Sequence, residues 1–179
     1  GARDKCSVIY TAVDTQVFMP AEHRKNHREL TCRNMHTDPA KPVALFVSLS
    51  HRRKGLDTLL HAWCGIDATL WIAGRQLNSH YLGMIERLGL SAKVRALPPT
   101  SNLTSLYQAA DWFVHPTLYD ACANTVLQSM ACGLPGLISV QDGAIDHIVD
   151  GENGYMLYHP ANVDEVRQRL IDALSTPED

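Results

Sequence analysis

Short apolar runs alternate with segments of helical periodicity from Val43 onward, and this alternation constrains the fold more than any other feature of the sequence. The apolar run 43–47 predicts a buried strand, and Leu56, Leu59 and Trp63 then recur at helical spacing. Further strands are predicted at 69–73, 94–97, 112–114, 137–140 and 155–157, and further helices at 81–88, 103–110, 125–131 and 163–174. Because strands that alternate with helices pair in parallel, the sequence predicts an α/β fold with a doubly wound, Rossmann-like parallel sheet.

The region before this alternation has a different character. Between residues 11 and 41 the chain is polar and rich in Arg, His and Asn, which predicts a loop with one short helix near 21–30. We therefore expect residues 1–41 to be an interdomain connection and residues 42–179 to form the sheet domain. The chain begins with Gly1 rather than Met and breaks off just after an amphipathic pattern, so we expect a piece of a longer protein.

The bulk composition excludes several classes of protein. With 45% hydrophobic and 20% charged residues the chain has the balance of a globular protein, and its net charge of -3 gives no general attraction for nucleic acid. No apolar run approaches the roughly 18 residues that span a bilayer, so we expect at most peripheral contact with a membrane. The cysteines are odd in number and lack a Cys-x-x-Cys pair, which favours the reducing cytoplasm. Any peripheral contact is then expected at the inner face of the membrane.

A basic loop follows the first predicted strand. In open α/β sheets ligands bind beyond the carboxyl ends of the strands, so the loops 48–55, 74–78, 98–101, 115–125 and 141–147 are predicted to share one edge. Within the first of these loops, Arg52, Arg53 and Lys54 are consecutive cations that favour a group with two negative charges. An equally good interpretation is a set of solvated charges at the start of a surface helix.

The segment from Asp120 to Gln128 passes from a strand-end loop into a helix. Asn124 or Thr125 is predicted to cap this helix, and the first backbone N–H groups would then form an anion site. The alternative is ordinary capping with Gln128 in solvent. The glycine-containing loop 141–146 is open to two interpretations as well, since Gly143 permits either a ligand close to the backbone or a simple turn.

Six short motifs in a fixed order resemble the C-terminal domain of family 4 retaining glycosyltransferases, which is one half of a GT-B fold. The motifs are Arg-Lys-Gly at 53–55, Ala-Gly at 73–74, Leu-Tyr-x-Ala-Ala-Asp at 106–111, His-Pro-Thr at 115–117, Ala-Cys-Gly-Leu-Pro at 131–135 and Asp-Gly-x-Asn-Gly at 150–154. The similarity runs from about residue 8 to residue 174, and residues 115–120 resemble lipopolysaccharide-core and other cell-envelope transferases.

The resemblance implies a role for individual residues. Arg53 and Lys54 match the basic pair that grips the diphosphate of the donor. Asp120 matches the first acid of the family's Glu, seven residues, Glu motif, which contacts the transferred sugar, and Gln128 takes the place of the second acid, which binds the ribose. Backbone donors near the phosphates or sugar are implied for Asn124, Thr125 and Val126. No catalytic residue is assigned, because closure of the two domains builds the reaction site in this family.

Three departures from the family pattern affect this assignment. Gln128 supplies a neutral amide oxygen instead of a carboxylate, which predicts weaker donor binding. Ser48 and Asp142 stand where many members have Gly, and Asp142 would repel a pyrophosphate if it faced inward. His23 and His27 are spaced to share a helix face, but the neighbouring Arg24, Lys25 and Arg28 oppose a cation, so neither a metal site nor another cofactor is expected.

The resemblance implies transfer of a sugar from a nucleoside diphosphate sugar to an acceptor, with retention of configuration. The acceptor would be lipopolysaccharide or another envelope glycan, bound by an N-terminal domain that is missing here, so the domain alone is expected to be inactive. One alternative is a non-catalytic or inactivated sugar-nucleotide-binding module. Another is a flavodoxin-like regulatory domain, which should lack a basic loop paired with Asp120.

Overall fold

The computed structural model describes residues 7–175, and within them it contains one sheet with helices on both faces. The strands are β1 (Val43–Ser48), β2 (Thr69–Gly74), β3 (Val94–Ala96), β4 (Trp112–His115), β5 (Gly136–Ser139) and β6 (Gly154–Leu157). The helices are α1 (Arg24–Asn34), α2 (Leu56–Ala62), α3 (Ser79–Arg87), α4 (Leu103–Ala109), α5 (Asn124–Ala131) and α6 (Val163–Ser175), and a 3-10 helix covers Gly143–His147.

The order of the strands confirms the predicted fold. All the strand pairs are parallel, and the order across the sheet is β3-β2-β1-β4-β5-β6. This is the doubly wound order in which the chain first builds outward from β1 in one direction and then from β4 in the other. The carboxyl ends of β1 and β4 therefore flank a crevice, which is where open α/β sheets bind their ligands.

The sheet has a hydrophobic core on each face because successive strand residues point to opposite sides. On one side Phe46 and Ile72 pack against α2, α3 and α6, and on the other Leu45 and Trp71 pack with α1, α4 and α5. Burial of each such side chain contributes about 1.5 to 3 kcal/mol to stability. Burial on both faces explains why the strands have continuous apolar sequences.

The polar region before β1 contains the expected helix, but α1 lies further along the chain than 21–30. It packs against α4, and Arg28 bridges the two through Asp111 at 2.8 Å. Asp111 also accepts a hydrogen bond from the backbone N–H of Val43 at 2.7 Å, so this contact fixes α1 at the amino-terminal end of β1. The proposed boundary between residues 41 and 42 stays a prediction.

Two sequence-based expectations concern the described chain as a whole. Cys32, Cys64, Cys122 and Cys132 are free thiols, while Cys6 lies outside the described residues. Between residues 7 and 175 there is no helix whose length and apolar character would let it cross a membrane.

Candidate functional site

The loops that follow β1 and β4 are in direct contact at the crevice of the sheet. The carbonyl of Arg53 accepts hydrogen bonds from the Leu118 N–H at 2.9 Å and from the Thr117 hydroxyl at 3.2 Å. Gly55 has a φ of 77°, and a Cβ at this position would lie 2.0 Å from the carbonyl oxygen of Pro116. Glycine is thus required for the close approach of the two loops.

The cations of the first loop meet the acid of the second. Arg53 Nη1 donates to the Tyr119 carbonyl at 3.1 Å and lies 3.4 Å from Asp120 Oδ2, and the Lys54 ammonium contacts the same carboxylate oxygen. The Lys54 side chain is only 9% exposed, whereas that of Arg53 is 48% exposed. Three residues that the resemblance assigned to one donor therefore lie together at the crevice.

The Asp120 carboxylate offsets part of the positive charge of this pair. Its Oδ1 accepts a further hydrogen bond from the backbone N–H of Cys122 at 3.3 Å, which holds the acid in the loop before α5. Among residues 7–175 the side-chain hydrogen bonds of Arg53 all use Nη1, so Nη2 and Nε of its guanidinium have no partner there and can donate to a ligand. A dianion can bind here in two ways. Arg53 and Lys54 can donate to the dianion and to Asp120 at the same time, or the dianion can replace Asp120 as their partner.

Helix α5 begins next to Asp120 without a side-chain cap. It starts at Asn124, its N-cap residue is Ala123, and no side chain accepts from its first turn. The predicted capping by Asn124 or Thr125 is wrong, because both residues lie inside the helix. In the first turn of α5, the N–H of Val126 donates to the Ala123 carbonyl at 3.0 Å. The N–H groups of Asn124 and Thr125, which precede it in the same turn, have no acceptor among residues 7–175.

Gln128 is half-buried and has a partner on the neighbouring helix. Its Oε1 accepts a hydrogen bond from the Tyr107 hydroxyl at 3.3 Å, so the interpretation of a solvated side chain is wrong. Burial raises the pKa of Tyr107, which keeps the phenol protonated as a donor. Tyr107 belongs to the Leu-Tyr-x-Ala-Ala-Asp motif, but no local sequence pattern indicates its contact with Gln128, because the contact joins two helices.

Asp142 does not face the open crevice, since it points into the protein. The residue is 1% exposed, and its Oδ1 accepts from the N–H groups of Ala123 at 3.0 Å and Ala144 at 2.9 Å. It caps the 3-10 helix in what was predicted to be a loop. A Cβ on Gly143 would lie 1.9 Å from the Ala121 carbonyl oxygen, so this glycine accommodates backbone rather than a ligand.

His115 lies between the buried cation and the buried acid. Its Nε2 is 3.1 Å from Lys54 Nζ and 3.1 Å from Asp142 Oδ2, and the residue has no exposed surface. Burial lowers the pKa of His115, so the ring is neutral near physiological pH. Its Nδ1 has no hydrogen-bond partner within residues 7–175.

The geometry opposes a metal ion at both places considered. His27 contacts the Ser105 carbonyl at 3.0 Å, so it is engaged with α4. In the described part of the chain, the one group of potential ligands is His115, Asp120 and Asp142, whose ligand atoms lie within 4.8 Å of one another. Because the Lys54 ammonium contacts both His115 and Asp120, a cation there would meet a positive charge.

Two clefts lie at opposite edges of the sheet. One of about 680 Å³ adjoins the basic loop at the carboxyl edge and is lined by residues that include Arg52 and Arg75. A larger cleft of about 760 Å³ lies near Asp111 at the amino-terminal edge, where Arg24 and Arg28 line it. The larger cleft is remote from the paired loops, and the cations that line it already have acidic partners. Arg24 and Arg28 contact Asp111, and Lys41 contacts Asp67.

Comparison with known proteins adds independent information. Residues 41–176 match a family described as "Glycosyl transferases group 1". The alpha-maltose-1-phosphate synthase of Mycolicibacterium smegmatis is 25% identical over 97% of the chain and 47% of that protein. The lipopolysaccharide glucosyltransferase WaaG of Escherichia coli is 23% identical over 87% of the chain and 43% of WaaG. The chain thus spans less than half the length of these two relatives.

Solved structures share the fold. HepE of Anabaena in complex with UDP-glucose superposes with a TM-score of 0.81 and 21% identity, over 94% of this chain and 48% of HepE. The C-terminal domain of LpcC, a glycosyl transferase group 1 family protein from Francisella tularensis, superposes with a TM-score of 0.76 and 22% identity. In that case the alignment covers 92% of this chain and 89% of the other, so the described fold corresponds to a C-terminal domain of this kind.

Proposed function

Because the chain belongs to the group 1 glycosyltransferase family and has the Rossmann-like fold of one half of a GT-B enzyme, we propose that it is the donor-binding half of a retaining glycosyltransferase. Arg53 and Lys54 bind the diphosphate of a nucleoside diphosphate sugar. The observation that carries this proposal is the contact of both cations with Asp120 at the crevice, next to the uncapped start of α5.

In this proposal the positive charges of Arg53 and Lys54 stabilise the leaving diphosphate. When the bond between the anomeric carbon and the diphosphate oxygen breaks, negative charge builds on the leaving diphosphate. Fixed positive groups at that position lower the barrier, because they stabilise the transition state more than the ground state. Lys54 is almost fully buried, so its charge acts with little screening, and no metal ion is needed for this role.

Asp120 and Gln128 bind the neutral parts of the donor in this proposal. A diphosphate that takes the Lys54 ammonium releases the Asp120 carboxylate, which then accepts hydrogen bonds from sugar hydroxyls. Gln128 binds the ribose, with its amide oxygen shared with Tyr107. A hydrogen bond to a charged acceptor contributes about 1.5 to 3 kcal/mol and one to a neutral acceptor about 1 kcal/mol, so ribose binding is weaker than with Glu.

Two relatives support the classes of substrate in this proposal. HepE, solved with UDP-glucose, supports a sugar nucleotide as the donor, and WaaG supports an envelope glycan such as lipopolysaccharide as the acceptor. Since the chain spans less than half of its curated relatives, a second domain supplies the acceptor site and the chain alone is inactive. The reaction takes place in the cytoplasm, with any membrane contact peripheral.

Calorimetric titration with UDP, GDP and ADP tests the proposal. One of these nucleotides should bind, and its unphosphorylated nucleoside should bind far more weakly because it lacks the charge that the cations neutralise. At a hundred times its dissociation constant the bound nucleotide should add about 2.7 kcal/mol to the free energy of unfolding. If none of the three binds at millimolar concentration, the donor-site proposal is wrong.

A non-catalytic sugar-nucleotide-binding module is the second candidate, and the neutral Gln128 is the observation in its favour. Both candidates predict nucleotide binding, so binding does not separate them. The transfer of labelled sugar by the complete two-domain protein does, since only the enzyme will form a glycosidic bond.

A further inference from the structure

Three buried polar side chains connect the crevice to the loop after β5. His115 is in the middle, with Nε2 at 3.1 Å from Lys54 Nζ and at 3.1 Å from Asp142 Oδ2. His115 has no exposed surface, Asp142 is 1% exposed and Lys54 is 7% exposed. These contacts are therefore shielded from solvent, unlike the contact between Arg53 and Asp120.

One nitrogen of a neutral imidazole cannot accept from Lys54 and donate to Asp142 at the same time. The ammonium of Lys54 can only donate, so its contact requires the lone pair of Nε2 and places the ring proton on Nδ1. In this tautomer the ring does not donate to Asp142 Oδ2, although that oxygen lies 3.1 Å from Nε2, and the Nδ1 proton has no acceptor among residues 7–175. The contact of His115 with Lys54 is thus retained although two buried polar atoms are left unpaired.

The surroundings of His115 fix the direction of its Nε2. The ring stacks on Phe113 with an interplanar angle of 17°, and strand β4 is held between β1 and β5. The Asp142 carboxylate, which also contacts the His115 ring, is fixed by hydrogen bonds from the Ala123 and Ala144 N–H groups. Buried polar atoms without partners are rare in folded proteins, so the arrangement around His115 calls for an explanation.

We propose that His115 is a positioning residue that holds the Lys54 ammonium at the crevice, ready for the diphosphate of the donor. The proposal rests on the proposed function of Lys54. A free lysine side chain samples many rotamers, and binding an anion would have to order it. Because His115 Nε2 accepts from the Lys54 ammonium before the ligand binds, the side chain is already ordered. Binding then loses less conformational entropy, and the affinity is higher.

Two substitutions of His115 separate positioning from a general structural role. In His115→Gln an amide oxygen can reach the former place of Nε2 and accept from Lys54, whereas the shorter side chain in His115→Asn reaches only the former place of Nδ1. Calorimetric titration with inorganic pyrophosphate should show about three- to tenfold weaker binding for His115→Asn, in the range of coupling between contacting residues. His115→Gln should bind nearly as well as the unmodified chain.

A double-mutant cycle with Lys54→Met completes the test. If His115 acts through Lys54, adding His115→Asn to Lys54→Met should not weaken pyrophosphate binding further. An equal loss in both backgrounds, or equal losses for Asn and Gln in folded variants, would overturn the proposal. Should the Asn variant not fold, His115→Met, which fills the space without a strong acceptor, replaces it in the same cycle.

The cycle also distinguishes this inference from the donor-site proposal. If Lys54→Met and Arg53→Ala both weaken pyrophosphate binding but the cycle shows no coupling to His115, the diphosphate site stands and the positioning role is wrong. If neither Lys54→Met nor Arg53→Ala weakens binding, the diphosphate site itself is wrong and His115 has no role in it.

Discussion

Arg53 and Lys54 are adjacent in the sequence, yet their charges have different surroundings. Lys54 is buried between Asp120 and His115, so its position is set by the protein. Arg53 is half-exposed, and its Nη2 and Nε donate to no group within the described residues 7–175. Arg53 is therefore the better residue to remove in a first test, because its loss disturbs the protein less.

Arg53→Ala should weaken binding of the matching nucleoside diphosphate by about 1.5 to 3 kcal/mol, the contribution of a charged hydrogen bond. Isothermal titration calorimetry measures the change. Arg87→Ala is a matched control, because Arg87 is an exposed arginine in the last turn of α3. An unchanged affinity for Arg53→Ala, or an equal loss in the control, would remove Arg53 from the site.

Gln128→Glu should strengthen nucleotide binding if the neutral amide limits recognition of the ribose. The gain should be about 0.5 to 2 kcal/mol, the difference between a charged and a neutral acceptor. The Tyr107 hydroxyl can donate to the new carboxylate as it does to the amide, so the fold should tolerate the change. Weaker or unchanged binding in a titration with the same nucleotide would place Gln128 outside the ribose site.

At the scale of single elements, the start of α5 is the most informative part of the chain. Most helices of this length benefit from a Ser, Thr, Asp or Asn at the N-cap, and α5 has Ala123 there. The Asp142 carboxylate holds the N–H of Ala123, so the loop is fixed although the helix is uncapped. The N–H groups of Asn124 and Thr125 are thereby left available to an anion.

Ala123→Ser should therefore have opposite effects on stability and binding. The new hydroxyl can accept from the first turn of α5, which should raise the free energy of unfolding by about 1 kcal/mol. The same hydrogen bond competes with a bound phosphate, so nucleotide affinity should fall. Ala121→Ser, in the exposed loop before the helix, is the control and should do neither. Tighter binding in Ala123→Ser would show that the helix start does not face the ligand.

Sequence patterns located the strands and helices whose buried residues recur at a regular spacing. The predicted strands and the helices α2 to α6 lie within a few residues of their observed bounds, because each has an apolar face that must be covered. The start of α5 was not predicted, since Ala123 is held there by Asp142, which is 19 residues away in the sequence. The 3-10 helix was not predicted either, because it is a five-residue turn capped locally by Asp142 and has no periodic apolar face. Likewise the position of α1 depends on the contact of Arg28 with Asp111, which is far away in the sequence, so no local pattern predicts it.

The candidate site was predictable only in part for the same reason. The resemblance brought Arg53, Lys54 and Asp120 to one place, and the structure has them in contact. It gave no indication of the direction in which each side chain points. Asp142 and His115 are buried, and Gln128 contacts Tyr107, because of packing between elements that are far apart in the sequence.

At the scale of the whole molecule, buried histidines couple stability to pH. Burial lowers the pKa of His115 and of His51, so the folded chain keeps both neutral. Unfolded histidine titrates at a pKa of about 6.5, so below this pH the unfolded chain binds protons that the folded chain does not. The free energy of unfolding should therefore fall as the pH decreases from about 7.5 to about 5.5.

Urea denaturation at the two pH values measures this effect as a lower midpoint at the acidic pH. His115→Gln should reduce the difference between the two midpoints, because an amide does not titrate. Equal midpoints for the unmodified chain, or a higher midpoint at the acidic pH, would contradict the account of the buried histidines.

The proposed diphosphate site lies at the carboxyl edge of the sheet, between the loop after β1 and the start of α5. Amide chemical-shift mapping by NMR, with inorganic pyrophosphate as the probe, locates the bound anion on the protein. We expect the largest shifts in residues 49–55 and at Asn124 and Thr125. Shifts concentrated instead around Arg24, Arg28 and Lys41, at the larger cleft on the amino-terminal edge, would contradict the proposed site.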